Sequence, residues 1–278
     1  MGGCRMRPSD LGALASQLTG RDYAVLRDVD RYRLLTTRHI QRLHFDPAHP
    51  TAAASARACT RTLARLRDLQ VIRALQQRIG GVRAGSAGFA WYLGPAGERL
   101  LRAADPATFR PGRRNYREPS RHFTDHTLTI AELAVRALEA AREEGSDFEV
   151  LDLQTEPGSW QQSLSRFGTT QTLKPDLLLV TASGDYEHHW FIEADMATEH
   201  LPVILRQCAA YEAYRATGRY QAESGLFPAV LWVTPAPARA AAIRAAVAAT
   251  RGLDPALFRA CPAAGYLAVV TGRAQEGA

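Results

Sequence analysis

Apolar positions follow two different rhythms along the chain. Between residues 20 and 69 they recur every three or four places, whereas between 148 and 234 they gather into short runs. In the first region Tyr23, Val25, Leu26 and Val29 predict a helix over 22–30, with Thr19 as its cap. Thr36 or Thr37 opens a second helix through Ile40 and Leu43 to His44. Residues 46–50 read as a loop, and Ser55 opens a third helix reaching about Leu69. Two β-rich runs, 71–78 and 89–93, flank the glycine-rich stretch 80–86. Three helices and a hairpin make a winged helix (α+β), and its last two helices form a helix-turn-helix.

The second region predicts a helix from Thr124 or Asp125, with a capping-box spacing at Thr129-Ile130-Ala131-Glu132, ending at Gly145. Strands follow at 148–153, 173–180 and 189–195; Thr198 caps a helix that stops at Gly218. A strand at 229–234, an alanine-rich helix at 238–250 and a closing strand at 266–271 complete the pattern. The order αβββαβ predicts a mixed α/β sheet with buried central strands, so the fold class is α/β overall.

The two middle strands carry chemistry. Ser183-Gly184-Asp185-Tyr186 suits a two-residue turn with glycine at its first central position. Ser183 then faces Tyr186, which sets Asp176 opposite Glu193 and Lys174 opposite Asp195, all on one face. Directly facing Cβ atoms lie roughly 4.5–5.5 Å apart. Two carboxylates that close repel, so a metal ion or a protein cation belongs between them.

Charge changes the picture of the first half. Residues 1–120 hold 21 Arg against 9 acids, net +12, and the remainder is net −6. A basic half joined to an acidic one points to a polyanion-binding module attached to something else. On the third helix Arg57, Arg61 and Arg65 stand at i, i+4 and i+8, opposite Cys59, Leu63 and Leu66. Such a helix suits a major groove, with Arg38, Arg78 and Arg83 on the flanking backbone. The alternative is a solvated face on a protein-interaction domain. The proline- and arginine-containing stretch 105–121 reads as a basic linker, so the domains expected are 1–104, 105–121 and 122–278.

Other features narrow the field. Cys4, Cys59, Cys208 and Cys261 are isolated, which suggests neither a zinc finger nor a disulfide framework. No run approaches the ~20 apolar residues of a membrane span, and a cytoplasmic protein without a membrane partner is expected. His122 and His126 share a helix face around Asp125, without the glutamate of a zinc-protease motif. Ser163, Ser165 and Gly168 form no nucleophile elbow, and Trp160 and Phe167 read as packing residues with base stacking as the alternative.

The second half resembles the restriction-endonuclease-like PD-(D/E)xK superfamily. Pro175-Asp176 looks like its PD element, and Glu193-Ala194-Asp195 stands where (D/E)xK is expected. Gln207-Cys208-Ala209-Ala210-Tyr211 is similar to the QxxxY element of RecB-like nucleases, and Glu132 to the acid that often completes the metal site. The resemblance implies Mg²⁺ or Mn²⁺ held by Asp176, Glu193 and Glu132, with Lys174 and Gln207 at the phosphate and Tyr211 beside them. It departs at Asp195, an acid in the lysine position: either Lys174 serves that position from the neighbouring strand, or Lys174 and Asp195 form a cross-strand salt bridge in a nuclease-like domain that has lost its chemistry.

Both halves together resemble the replication-relaxation family. Asp22-Tyr23-Ala24-Val25-Leu26, then Arg61-Thr62-Leu63-Ala64-Arg65-Leu66, look like its opening, and 191–199 like its C-terminal signature. This implies a DNA-binding factor of a plasmid or mobile element, acting in replication or in DNA relaxation and transfer. Double-stranded DNA is the implied partner, with a second copy or replication and transfer proteins beside it. A metal-dependent DNA endonuclease and a winged-helix transcriptional regulator are the alternatives.

Overall fold

The computed structural model describes residues 8–75, 88–106, 120–164 and 168–272. They fall into two compact units, up to Val135 and from Arg136. Among the described residues no helix is long and apolar enough to cross a membrane.

In the first unit α1 (Pro8–Ala15) precedes α2 (Gly20–Tyr32). Thr19 caps α2 in a full capping box: its hydroxyl accepts from the Asp22 amide, and Asp22 accepts from the Thr19 amide. The short strand β1 (Leu35–Thr36) leads into α3 (Thr37–His44), capped by Thr36. After a 3-10 turn at Asp46–Ala48 comes α4 (Ala52–Asp68). The cap of α4 is Thr51 rather than Ser55. Ser55 is buried one turn in, and its hydroxyl donates to Asp46 Oδ1 instead.

Strands β2 (Ile72–Ala74) and β3 (Ala90–Leu93) pair antiparallel, and β1 joins the other edge of β3 to give the order β1-β3-β2. Residues 76–87, the tip between the two β-rich runs, lie outside the described residues, as does most of the stretch expected to be a linker. A helix not read from the sequence, α5 (Pro95–Ala104), follows directly, with Pro95 in its first turn where the missing N–H costs nothing. Cys59, Leu63 and Leu66 of α4 are buried, as the helical spacing requires, and so are Val25, Leu26, Val29, Ile40 and Leu100.

The division between the units falls inside α6 (Arg121–Ala140). Leu128 packs with Leu34, Leu75 and Ala90 of the first unit. In the second unit Arg136 donates to the Ala263 carbonyl and lies over the Tyr266 ring.

The second unit is built on a five-stranded sheet. Strand β4 (Phe148–Thr155) is one edge. A separate two-stranded ribbon, β5 (Gln161–Leu164) with β6 (Thr170–Leu173), stands before β7 (Leu177–Ser183) and β8 (Tyr186–Ala194). Then come α7 (Leu201–Arg215), α8 (Arg219–Ser224), β9 (Ala229–Thr234), α9 (Pro237–Ala249), β10 (Phe258–Pro262) and α10 (Tyr266–Val270). The order is β10-β9-β8-β7-β4; β8, β9 and β10 run parallel, and β7 is antiparallel to both β8 and β4. Leu178, Phe191, Val230 and Trp232 on one face pack against Ile204, Cys208 and Tyr211 of α7 and Ile243 and Val247 of α9.

Two expectations are corrected here. The strand beside β9 is β10, and 266–270, expected to close the sheet, is helical. Tyr266 and Val270 are both fully buried at i, i+4 spacing, a helical pair that a five-residue apolar run does not distinguish from a strand. The cap position of α7 is His200 rather than Thr198, with Pro202 in the first turn.

The join between β3 and α5 is tight. A Cβ built on Gly94 would lie 2.5 Å from the Gln70 carbonyl oxygen, and one on Gly97 would press into the Val71 carbonyl and the Leu93 side chain. Gly97→Ala is therefore expected to lower stability to urea unfolding by about 1–3 kcal/mol despite alanine's better helix propensity. Gly12→Ala in α1, where a Cβ meets nothing within 4 Å, is expected to do no harm in the same measurement.

Candidate functional site

Helix α4 buries one stripe and exposes the opposite one. Arg57 and Arg61 are exposed on it, and Arg38 is exposed on α3. Arg65, the third of the expected stripe, is otherwise engaged. Its Nη2 lies 2.6 Å from Oδ1 of Asp22, which is 1 % exposed, and its Nη1 donates to the Gln17 carbonyl at 3.1 Å. Against the upward push of burial, Arg65 and the Thr19 cap hold the Asp22 carboxyl below its usual range. Arg65 thus ties α4 to the start of α2, leaving Arg57 and Arg61 as the outward pair. Arg78 and Arg83 lie outside the described residues.

Glu132, expected beside the acid pair, is held within the first unit. Arg42 Nη1 approaches its Oε2 at 2.5 Å and His39 Nε2 at 3.1 Å. Burial alone would raise its pKa, but these two hydrogen bonds keep it low.

In the second unit the β7–β8 ladder runs from Leu177↔Ile192 to Ser183↔Tyr186, the register read from the turn. Gly184 takes φ +55° while Asp185 keeps a negative φ, the backbone of the expected hairpin turn. One step beyond the ladder, Asp176 and Glu193 are each 7 % exposed. Asp176 Oδ2 accepts from the Ala194 amide at 2.8 Å, and Glu193 Oε1 accepts from the Tyr211 hydroxyl of α7. Burial, and then the nearby Asp176 charge, push the Glu193 carboxyl well above its ordinary 4.5; Glu199 and Glu156 add to the push. The Tyr211 phenol is raised by burial and by Glu193.

Gln207 sits one turn before Tyr211 on the same helix, and its Oε1 is buried with no hydrogen-bond partner among the described residues. Two carboxylates and this amide oxygen are hard donors of the kind Mg²⁺ or Mn²⁺ takes. Among the described residues no three of His, Cys, Asp and Glu are grouped to hold a metal.

Asp195 and Lys174 do not pair. Asp195 Oδ2 lies 2.7 Å from Arg239 Nε and its Oδ1 3.2 Å from Nη2, while Nη2 also donates to the Glu199 carbonyl at 2.6 Å. Lys174 Nζ instead stands 4.5 Å over the Trp160 ring. Arg239 was not read from the sequence, but its position follows from topology. Because β8 and β9 run parallel, their C-terminal ends coincide, Ala194 beside Val233, and the first turn of α9 starts next to Asp195. An arginine two residues into the helix after the next strand is the signal that points to it.

A helix–hairpin unit with outward arginines, followed by a mixed-sheet α/β unit with a buried acid pair, is the class of protein these features define. The replication-relaxation family model matches residues 26–230, and the chain belongs to that family. No curated protein and no solved structure matches it.

The Glu193 shift fixes a pH dependence. A carboxyl whose folded pKa is raised contributes stability that is present below about pH 4.5 and is lost as pH rises through the folded value. Glu193→Gln, neutral at every pH, is expected to match the wild type near pH 4 and to unfold at a higher temperature near pH 8. Thermal unfolding across that range without divalent ions checks it; a variant that is less stable at both ends would refute the assignment.

Proposed function

We propose that this protein is a DNA-binding factor of a plasmid or mobile element, acting in replication or in DNA relaxation and transfer. Family membership supports the process, and the first unit supports the binding. The observation that carries the reading is the outward pair Arg57 and Arg61 on α4, one turn apart and opposite the buried Cys59, Leu63 and Leu66. The order α2, β1, α3, α4, β2, β3, with the sheet arranged β1-β3-β2, supports the winged-helix reading. Helix α4 is then the recognition helix, with α3 across the backbone and Arg38 at a flanking phosphate.

Counterion release makes the test quantitative. Affinity for duplex DNA is expected to fall steeply with salt, and Arg57→Ala/Arg61→Ala to weaken binding and flatten the slope by about one to two. Arg65→Ala is expected to act differently, leaving Asp22 buried without its cation and lowering folding stability. Equal binding by the double variant and the wild type at low salt would sink the reading.

A second reading, a metal-dependent DNA endonuclease, is favoured by the burial of Asp176 beside Glu193. Those carboxylates, with the Gln207 amide oxygen, would hold the cation, and Tyr211 orients Glu193. A divalent ion there would lower the pKa of a bound water. The Asp195–Arg239 pair speaks against it, because the acid in the lysine position is already neutralised by a guanidinium. Nicking of supercoiled plasmid in Mg²⁺ or Mn²⁺ that disappears in Asp176→Ala, together with a Mg²⁺-dependent rise in Tm, would establish it.

A further inference from the structure

The ribbon β5–β6 is absorbed neither by the sheet nor by the acid pair. Its register, Gln161↔Leu173 to Leu164↔Thr170, sorts its side chains onto two faces. One face is anchored. Ser163 is buried, Leu173 packs against the core beneath α7, and Gln161 donates to the Ser159 carbonyl while accepting from Tyr214 of α7. The root of the ribbon is also fixed, since the fully buried Ser159 hydroxyl donates to the Pro175 carbonyl at 2.6 Å.

The other face is Gln162, Leu164, Thr170 and Thr172, all exposed, with Leu164 at 65 %. An outward face of an amide, two hydroxyls and a bare leucine is unlike the acidic surface expected of this half of the chain. Between Trp160 and Lys174 the sequence holds no Asp or Glu, although residues 121–278 are net −6. Lys174 closes the stretch, two residues before Asp176.

We infer that this outward face is a second DNA-contacting surface, a two-stranded ribbon that enters the major groove of duplex DNA beside the Asp176–Glu193 pair. The inference rests on the DNA-binding reading above and adds a contact in the second unit. A major groove about 12 Å wide admits a β-ribbon. Its base edges are met by the groups present here: glutamine at adenine, threonine at either partner, and an apolar side chain at the thymine methyl. The absence of acids along the stretch removes the repulsion that the rest of this half would offer to phosphates. Lys174 supplies a cation at the ribbon's root.

Full-length protein bound to a mixed-sequence duplex tests this. A benzophenone amino acid in place of Thr172 is expected to crosslink to the duplex on irradiation, and one in place of Tyr186, exposed at the β7–β8 tip, is not. Gln162→Glu/Thr172→Glu, two exposed positions that leave the anchored face intact, is expected to weaken duplex binding by about tenfold. Crosslinking at 172 no stronger than at 186, or only to single-stranded DNA, overturns the inference. The Arg57→Ala/Arg61→Ala variant separates the two ideas. If it loses affinity while the glutamate variant binds as the wild type does, the ribbon falls and the DNA-binding reading stands. If the wild type binds no DNA, both fall.

Discussion

The register of one hairpin governs the second unit. A two-residue turn at Gly184-Asp185 aligns β7 with β8, and a slip of one residue would turn Asp176 and Glu193 to opposite faces. The consequences extend along the sheet. Glu193 reaches Tyr211 because Phe191, two residues earlier on the same face, packs against that ring. Asp195 reaches Arg239 because β8 and β9 run parallel and end together. A pair of buried carboxyls, a phenol and an ion pair are thus placed by a single glycine able to adopt φ +55°.

What the sequence disclosed, and what it withheld, follows from the range of the interactions concerned. Strand alternation and turn chemistry are local, so the facing of Asp176 and Glu193 was legible in advance. The caps of α2 and α3 were legible too, because Thr19 and Thr36 bond within three residues of themselves. Ser55 misled because it is as good a cap as Thr51; its hydroxyl is claimed by Asp46, nine residues away. The arginine stripe of α4 was visible, but not that Arg65 is drawn to Asp22 across 43 residues. Facing geometry alone sets Lys174 opposite Asp195, but Trp160, on an adjoining segment, takes the cation instead. Strand β10 carries Arg259 and Pro262 and has little strand character; it is held by β9 rather than by its own pattern.

Arginine serves two purposes in this chain, and the net charge records only one of them. Arg136 and Arg244 donate to the carbonyls of Ala263 and Ala260, and Arg215 bridges Glu212 and Asp254. Arg42, Arg65 and Arg239 are likewise spent on internal carboxylates. A planar guanidinium with five donors suits such multiple contacts better than an ammonium does. In the first half Arg42 and Arg65 are spent this way, so its 21 arginines overstate what its surface offers to an anion. Arg38, Arg57 and Arg61 carry more meaning than the total.

Lys174 is the only lysine in the chain, and it rests on an indole at the foot of the ribbon. Acylating reagents that seek an ε-amine therefore have one side chain to modify, and the change would remove the cation from above Trp160. The protein carries its own chemical handle, with an intrinsic fluorophore beneath it, at the root of the β5–β6 ribbon.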